Sequence, residues 1–393
     1  MAPHLRQRLT VLDALAFAGI FVFGIVMALL GAVMPVVSTQ LAFGLEDVGL
    51  LFLGMNGAML AASLLVGPAT DRVGMKGPIA LGALLVGVAL LAIARASRFG
   101  DLLPAVAALG FGGGALNAST NTLVADLHDD PETKAAALNL LGVFFGIGAL
   151  LLPFGIGALL ARAGLAGLLL AAAGLCGVLA LVAAVARFPR PKQAHGWPLA
   201  GVRRLLGIPL VLAMASLLFF ESGNEFMLGG YFSTFLAQDL AVPVDRASYM
   251  LACYWAGMMV SRLVLSRVLL RLDAHRVVLV GAVLAAAATL AVALATSPWV
   301  AVVGIVVTGF ALGGIFPTVL GVAGAAFPGH SGTVFGLLFT AALTGGTALP
   351  TLAGHLAASA GLRAVFLLVT VNFALVALLN EVARRLRARG SSG

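Results

Sequence analysis

The sequence predicts an all-α membrane protein: twelve transmembrane helices in two pseudo-symmetric six-helix bundles. Three observations carry this. Of the 393 residues, 61% are hydrophobic and only 10% are charged, with a mean hydropathy of +1.11, whereas a soluble domain carries roughly 25% charged residues. Apolar runs long enough to cross a bilayer recur between short polar breaks. Motifs of the first half return in the second half at a nearly fixed offset.

Counted between polar breaks, the apolar segments fall near 11–37, 47–66, 77–95, 102–124, 134–160, 165–187, 207–236, 246–271, 275–296, 298–327, 332–358 and 362–383. The first is longer than a signal-peptide core and has no small-residue cleavage site after it, so it is expected to stay as a membrane helix. The only long polar gap runs from Phe188 to Leu206 and contains Pro189, Pro191 and two arginine groups. It reads as a linker (188–206) between an N-terminal bundle (1–187) and a C-terminal bundle (207–393). Gly110-Phe111-x-x-Gly114 returns 199 positions later as Gly309-Phe310-x-x-Gly313. Gly148, Pro153, Gly157 and Gly164 match Gly345, Pro350, Gly354 and Gly361 at an offset of 197. Duplicated six-helix halves are one way a transporter builds a substrate site near the bilayer midplane.

Lysine and arginine set the orientation. With a cytoplasmic N-terminus, 17 of the 23 lie on the inside, 5 on the outside, and Arg262 stays within a helix. The expected placement is therefore a multi-pass protein of the cytoplasmic (inner) membrane with both termini cytoplasmic. The net charge of +8 forms no continuous basic face, so no nucleic-acid partner is expected. Cys176 and Cys253 sit inside apolar runs and read as small core residues without a disulfide or metal role. No phosphate-binding Gly-Lys-Ser/Thr loop is present, and the six histidines have no metal-ligand spacing. No enzyme activity, cofactor or metal is expected.

The first dense polar interruption is Gly67-Pro-Ala-Thr-Asp-Arg-Val-Gly-Met-Lys76. Its charges are too costly to face lipid, so it is a loop at the membrane surface. Gly67 and Gly74 permit a tight turn and close helix approach. The pattern Gly-x-x-x-Asp-Arg-x-Gly-x-Lys resembles the loop between the second and third helices of the major facilitator superfamily of secondary transporters. The resemblance extends over the whole chain and implies the two-bundle fold with alternating access. Asp71, Arg72 and Lys76 are then gating residues. Arg72 is placed to pair with Asp126, and Asp71 to accept from the helix N-terminus near Gly332, where the dipole favours an anion.

The seventh segment breaks the apolar rule with Phe219-Phe220-Glu221-Ser222-Gly223-Asn224-Glu225. Glu221 and Glu225, at i and i+4, share one helical face near mid-membrane, where acids mark ion or substrate pathways. Desolvation and mutual repulsion both disfavour two charges there. Arg262, in the eighth segment, either forms a structural ion pair with Glu221 or joins both acids in coupling. Counted along the helices, it reaches Glu221 more readily than Glu225.

Gly223-x-Glu225-x-x-x-Gly229-Gly230-Tyr231, with Tyr254-Trp255-x-Gly257 and Ser261-Arg262, is similar to two helices of the fucose-permease-like branch of the superfamily. That resemblance implies transport of a sugar or related polyol with proton coupling. The sequence departs from the branch in the first helix, whose only acid is Asp13 near the surface. It also departs in the fourth, which offers Asn117 and Asn121 instead of an acid. The proton would then ride on Glu221 or Glu225, or sodium would replace it, or coupling would be absent.

Amides and aromatic rings suit a hydroxyl-rich ligand, since an amide both donates and accepts and a ring covers a sugar's C–H face. The candidate substrate contacts are Asn117, Asn121, Asn224, Glu225, Tyr231, Tyr254, Trp255 and Asn372; Asn56, Thr340 and Thr344 lie at similar depth. For any single amide, a bond to a neighbouring helix is an equal alternative. The expected partners are a small-molecule substrate, a proton or sodium, and the lipid bilayer, with the chain acting as a monomer. The reading is a secondary transporter of a small hydroxylated solute. Its alternatives are a drug or metabolite exporter, to which the Gly- and Pro-rich stretch Gly142–Gly157 points, and a non-transporting membrane sensor.

Overall fold

Inside hydrocarbon a chain this apolar must satisfy its backbone within each segment, which favours helices. The computed structural model describes residues 10–127, 131–188, 205–268, 273–327 and 331–390, and the regular structure among them is helical. In order come α1 (Val11–Leu41), α2 (Leu45–Val73), α3 (Lys76–Ala94) and α4 (Phe99–Leu127). A 55-residue helical stretch, Pro131–Val185, is broken at Gly164 (φ 65°, ψ 167°) into α5 (131–163) and α6 (165–185). Next are α7 (Pro209–Gln238), α8 (Val244–Val268), α9 (Ala274–Ala293), α10 (Pro298–Leu312), α11 (Ile315–Ala326), α12 (Ser331–Ala360) and α13 (Leu362–Gly390).

Among the described residues, eleven helical stretches are long and apolar enough to cross a membrane. One of them, the 46-residue stretch Leu140–Val185, contains the Gly164 break and supplies two passes, which brings the total to the twelve expected. The tenth segment reads as one run in sequence but is two helices, α10 and α11, joined at Gly313 and Gly314. The faces left open are apolar: Leu81, Leu84 and Val88 on α3, Val178, Leu181 and Val185 on α6, and Val280 and Val283 on α9. Such faces are stable in lipid and not in water. Cys176 is buried as expected, but Cys253 is exposed. It lies on a different side of α8 from the packed residues Tyr254 and Met258.

The duplication read from the sequence recurs in the packing. A Cβ on Gly114 would come within 2.7 Å of the Met59 carbonyl, and one on Gly313 within 2.7 Å of the Met258 carbonyl. Gly82 lies against the Gly112 carbonyl and Gly281 against that of Ala311, while Gly148 meets the carbonyl of Phe21 and Gly345 that of Phe219. The turns repeat too. Gly164 and Gly361 both take positive φ (65° and 83°) where α5 meets α6 and α12 meets α13, and Ala42 and Ala241 do so at 52° and 51°. Only glycine adopts this region without strain, which explains its use at both helix-to-helix corners.

The described residues cluster into two compact units. One comprises 10–27, 58–127, 131–151 and 163–188. In it, Phe17 stacks on Phe144 at 5.0 Å and Phe23 tilts against Phe145 at 5.6 Å, the packing role these phenylalanines suit. Asp13 caps α1, accepting from the Thr10 amide at 2.9 Å and its hydroxyl at 2.7 Å. The other unit comprises 28–57, 152–162, 205–268, 273–327 and 331–390. It therefore takes in the C-terminal part of α1, the N-terminal part of α2 and a short piece of α5.

Candidate functional site

Every residue of α7 from Glu221 to Leu236 is buried, an unusual state for a helix, which ordinarily buries one face. Glycine makes it possible by letting neighbours approach on several sides. A side chain on Gly223 would overlap Leu349 of α12, one on Gly230 would overlap Phe52 of α2, and one on Gly229 would come within 3.2 Å of Trp255 of α8. On α1, a side chain on Gly31 would overlap the Gly229 carbonyl.

Glu221 and Glu225 are held in this setting, 1% and 9% exposed. At 1.5 Å rise per residue, they lie about 4 Å before and about 2 Å after the middle of α7. Arg262 lies about 9 Å past the middle of α8, toward the same end as Glu221. Glu221, Glu225, Tyr254 and Arg262 are close enough to feel one another's charge. Asn372 of α13 donates its Nδ2 to Asn224 Oδ1 at 3.0 Å, which joins two of the predicted residues. Tyr254 and Trp255 are fully enclosed, with rings edge to face at 5.1 Å.

Several polar atoms of this cluster are buried without a hydrogen-bond partner: Glu221 Oε2, Asn224 Nδ2 and Tyr254 OH. Buried polar groups in native proteins are nearly always satisfied, so a grouping of donors and acceptors like this is chemically set to hold water, a proton or a hydroxylated ligand.

The same unit has a second construction, which sequence reasoning missed. Proline has no N–H, so inside a helix it leaves the carbonyl four residues earlier without its donor. Pro35 does this to Gly31, Pro317 to Gly313 and Pro350 to Gly346. In each case a polar side chain from a facing helix supplies the donor. Ser233 Oγ donates to the Gly31 carbonyl, Asn56 Nδ2 to the Gly346 carbonyl at 2.5 Å, and Arg262 Nε to the Gly313 carbonyl over a long 3.4 Å. The signal was available in Pro35, Pro317 and Pro350, three of the prolines lying within apolar runs.

The remaining predicted residues are placed as follows. Tyr231 stacks on Phe52 at 5.7 Å and donates its hydroxyl to the Pro350 carbonyl at 2.9 Å, so its polar end serves the helix packing. Asn121 Nδ2 donates to the carbonyl of Asn117 at 2.9 Å and to its Oδ1 at 3.0 Å. This pair lies in the first unit. Thr340 and Thr344 bond the carbonyls of their own helix. Lys76 is exposed at the start of α3 and Asp126 is half-buried near the end of α4. The expected loop is largely helical: α2 runs through Gly67 to Val73, and the turn is confined to Gly74 and Met75, where Gly74 takes φ 82° and its amide bonds the Thr70 carbonyl at 3.0 Å. The expected contacts of Arg72 with Asp126 and of Asp71 near Gly332 involve side chains outside the described residues. No group of three or more metal-ligating side chains occurs among the described residues.

Twelve apolar passes in two duplicated bundles, with acids and amides buried in one of them, define the class: a multi-pass membrane transporter of the secondary type. The chain belongs to the Major Facilitator Superfamily, whose family model matches residues 16–220 and 214–393. It is accordingly a transporter of small molecules and not an enzyme. No curated protein matches the sequence. Among solved structures, the fold resembles a bacterial homologue of the human lysosomal transporter Spinster in an inward-facing, unoccupied conformation. There the identity is 17%, the TM-score is 0.79, and the match covers 96% of this chain and 97% of that one. It resembles the nucleoside transporter NupG at 15% identity and TM-score 0.78, covering 95% and 98%. It also resembles the Escherichia coli fucose:proton symporter FucP at 18% identity and TM-score 0.67, covering 94% and 98%.

Proposed function

We propose that this transporter moves a small hydroxylated solute, a sugar in the leading case, across the cytoplasmic membrane by alternating access, with a proton as the coupling ion. The observation that carries this reading is the buried cluster of Glu221, Asn224, Glu225, Tyr254 and Asn372. It offers two carboxyl groups to carry a proton, and amide and phenol groups with unused hydrogen-bonding capacity to meet hydroxyls. Glu225, the more open of the two acids, is the assigned proton carrier or ligand contact, with Glu221 and Arg262 tuning its charge. Two of the structural neighbours are named as a fucose:proton symporter and a nucleoside transporter, both of which handle hydroxyl-bearing solutes. With both termini cytoplasmic, the contacts of α1 and α2 with α7 and α12 form an outer gate that opens during transport. Asp71, Arg72, Lys76 and Asp126 serve the inner gate, and the monomer is the working unit.

A second reading, export of lipophilic compounds, has one observation in its favour. A cavity of about 410 Å³ in the first unit is lined wholly by apolar side chains, among them Phe17, Phe21 and Phe144. Proteoliposomes offered labelled hexoses, nucleosides and lipophilic cations separate the readings. Saturable uptake of a hexose or nucleoside supports the proposal. Transport of the cations alone replaces it with the second reading, and binding of any of them without flux replaces both with a sensor.

A further inference from the structure

We propose that Arg262 is a positioning residue that links the ionisation of Glu221 and Glu225 to the junction between α10 and α11, by sharing its guanidinium between those carboxylates and the Gly313 carbonyl. This rests on the reading of the two acids as the coupling groups.

The packing around the junction carries the inference. α8 and α10 are in glycine-mediated backbone contact along their length: Gly257 lies against the Val306 carbonyl, Gly309 against that of Tyr254 and Gly313 against that of Met258. Small residues allow an approach this close, backbone against backbone. α10 ends at Leu312, and α11 starts at Ile315 and packs on α7, α9 and α12. The joint has a weakened ladder, because Pro317 cannot donate to the Gly313 carbonyl. Arg262 is the side chain that supplies this carbonyl with a donor, one turn beyond Met258 on the same face of α8.

At 3.4 Å that bond is long against the usual 2.7–3.2 Å range. The guanidinium is charged in either bond, but an ionised carboxylate adds the attraction of opposite charges and can accept from two N–H groups at once. When Glu221 and Glu225 are ionised they draw the guanidinium toward α7, and the Gly313 carbonyl loses its donor. When they are protonated the guanidinium returns, and the joint is held in the geometry seen here. Protonation of the acids thus becomes a change in the angle or freedom of α11.

Other ionisable side chains stand on the surrounding elements. Besides Glu221 and Glu225, the ionisable side chain of α7 is Tyr231, bonded to Pro350. On α8, Tyr254 lies in the cluster, Asp245, Arg246, Tyr249 and Cys253 lie nearer its start, and Arg267 follows Arg262 by five residues. α10 and α11 carry none. On α12 the one is His355, which pairs with Glu46 at 3.1 Å, and on α13 they are Arg363 at the start and Glu381 onward at the end. Glu46 and Asp47 stand at the start of α2, and His275 and Arg276 at the start of α9.

The test measures the joint directly and needs no substrate. Spin labels go on Val303→Cys of α10, 63% exposed, and Gly321→Cys of α11, where a side chain meets open space, with Cys176 and Cys253 replaced by Ser. Distances between labels are recorded in lipid nanodiscs from about pH 5 to about pH 9, a span that covers buried carboxyls. The native sequence is expected to populate two distances whose ratio changes at least about threefold across that span. Arg262→Gln should flatten the response. Arg262→Lys keeps the charge but cannot fork between two acceptors, and should lose most of it. Pro317→Ala, at an exposed position, restores the missing N–H while leaving the acids and Arg262 in place, and should also flatten it. A native-like response in Arg262→Gln or in Pro317→Ala overturns the proposal, as does a pH-independent distance in the native protein. Hexose uptake by Glu225→Gln then reports separately on whether the acids couple transport at all.

Discussion

Replacing Asn56 by Ala tests the proline-carbonyl construction between α2 and α12. Asn56 is fully buried, and its Nδ2 is the donor to the Gly346 carbonyl, which Pro350 has left without a helical partner. An unsatisfied buried carbonyl costs about 1–3 kcal/mol, while measured side-chain bonds between membrane helices average about 0.6 and reach about 1.7 kcal/mol. The Oδ1 of Asn56 is itself buried without a partner, so its removal offsets part of the loss. The net effect is about 1 kcal/mol against the closed contact of α2 with α12, or about a fivefold shift toward opening. A Val48→Cys reporter, 1% exposed in the closed contact, should react about five times faster with a membrane-impermeant maleimide, once Cys176 and Cys253 are replaced by Ser. In a Pro350→Ala background residue 350 supplies the missing N–H, and Asn56→Ala should change the labelling rate little. Equal effects of Asn56→Ala in the two backgrounds would refute the reasoning, because the bond would then owe nothing to the proline.

Three further outcomes follow from the same geometry. Ser233→Ala should weaken the contact of α7 with α1 by about 0.6 kcal/mol, and Pro35→Ala should remove that effect, read by the same reporter. Gly31→Ala places a methyl on the Gly229 carbonyl; the protein should still elute at the native volume from size exclusion, but position 48 should stay reactive and solute exchange should fall by at least about tenfold. Asp71→Ala and Arg72→Ala should slow transport with stability changed by only about 0.5 kcal/mol; native transport rates in both would remove this loop from gating.

The fold was largely legible because the solvent is lipid. Apolar run length gives the passes, and packing at Gly114 and Gly313, 199 positions apart in the chain, falls on the equivalent carbonyls of Met59 and Met258. The burial of Glu221 and Glu225 was legible for the same reason, since α7 carries them mid-span. What the sequence concealed were partners separated by hundreds of positions. Asn56 stood out as a polar residue at depth, but its use on Gly346 depends on which helix faces it and on a proline four residues further on. Ser233 looked unremarkable for the same reason. The break at Gly313–Gly314 was hidden inside one apolar run, because hydropathy does not register a missing N–H. The seventh helix also lies two residues later than its apolar pattern indicated, which moves Glu225 closer to the middle of the span.

The measurement that bears most directly on the central claim is solute accumulation in proteoliposomes under an imposed pH gradient, comparing the native chain with Glu225→Gln. The account predicts that the native protein concentrates a hexose or nucleoside against its gradient when the outside is acidic. Glu225→Gln, which mimics the protonated acid, should lose accumulation while still exchanging labelled for unlabelled solute. Uphill accumulation by Glu225→Gln equal to that of the native protein would contradict the assignment of this acid to coupling, and with it the mechanism built on α7.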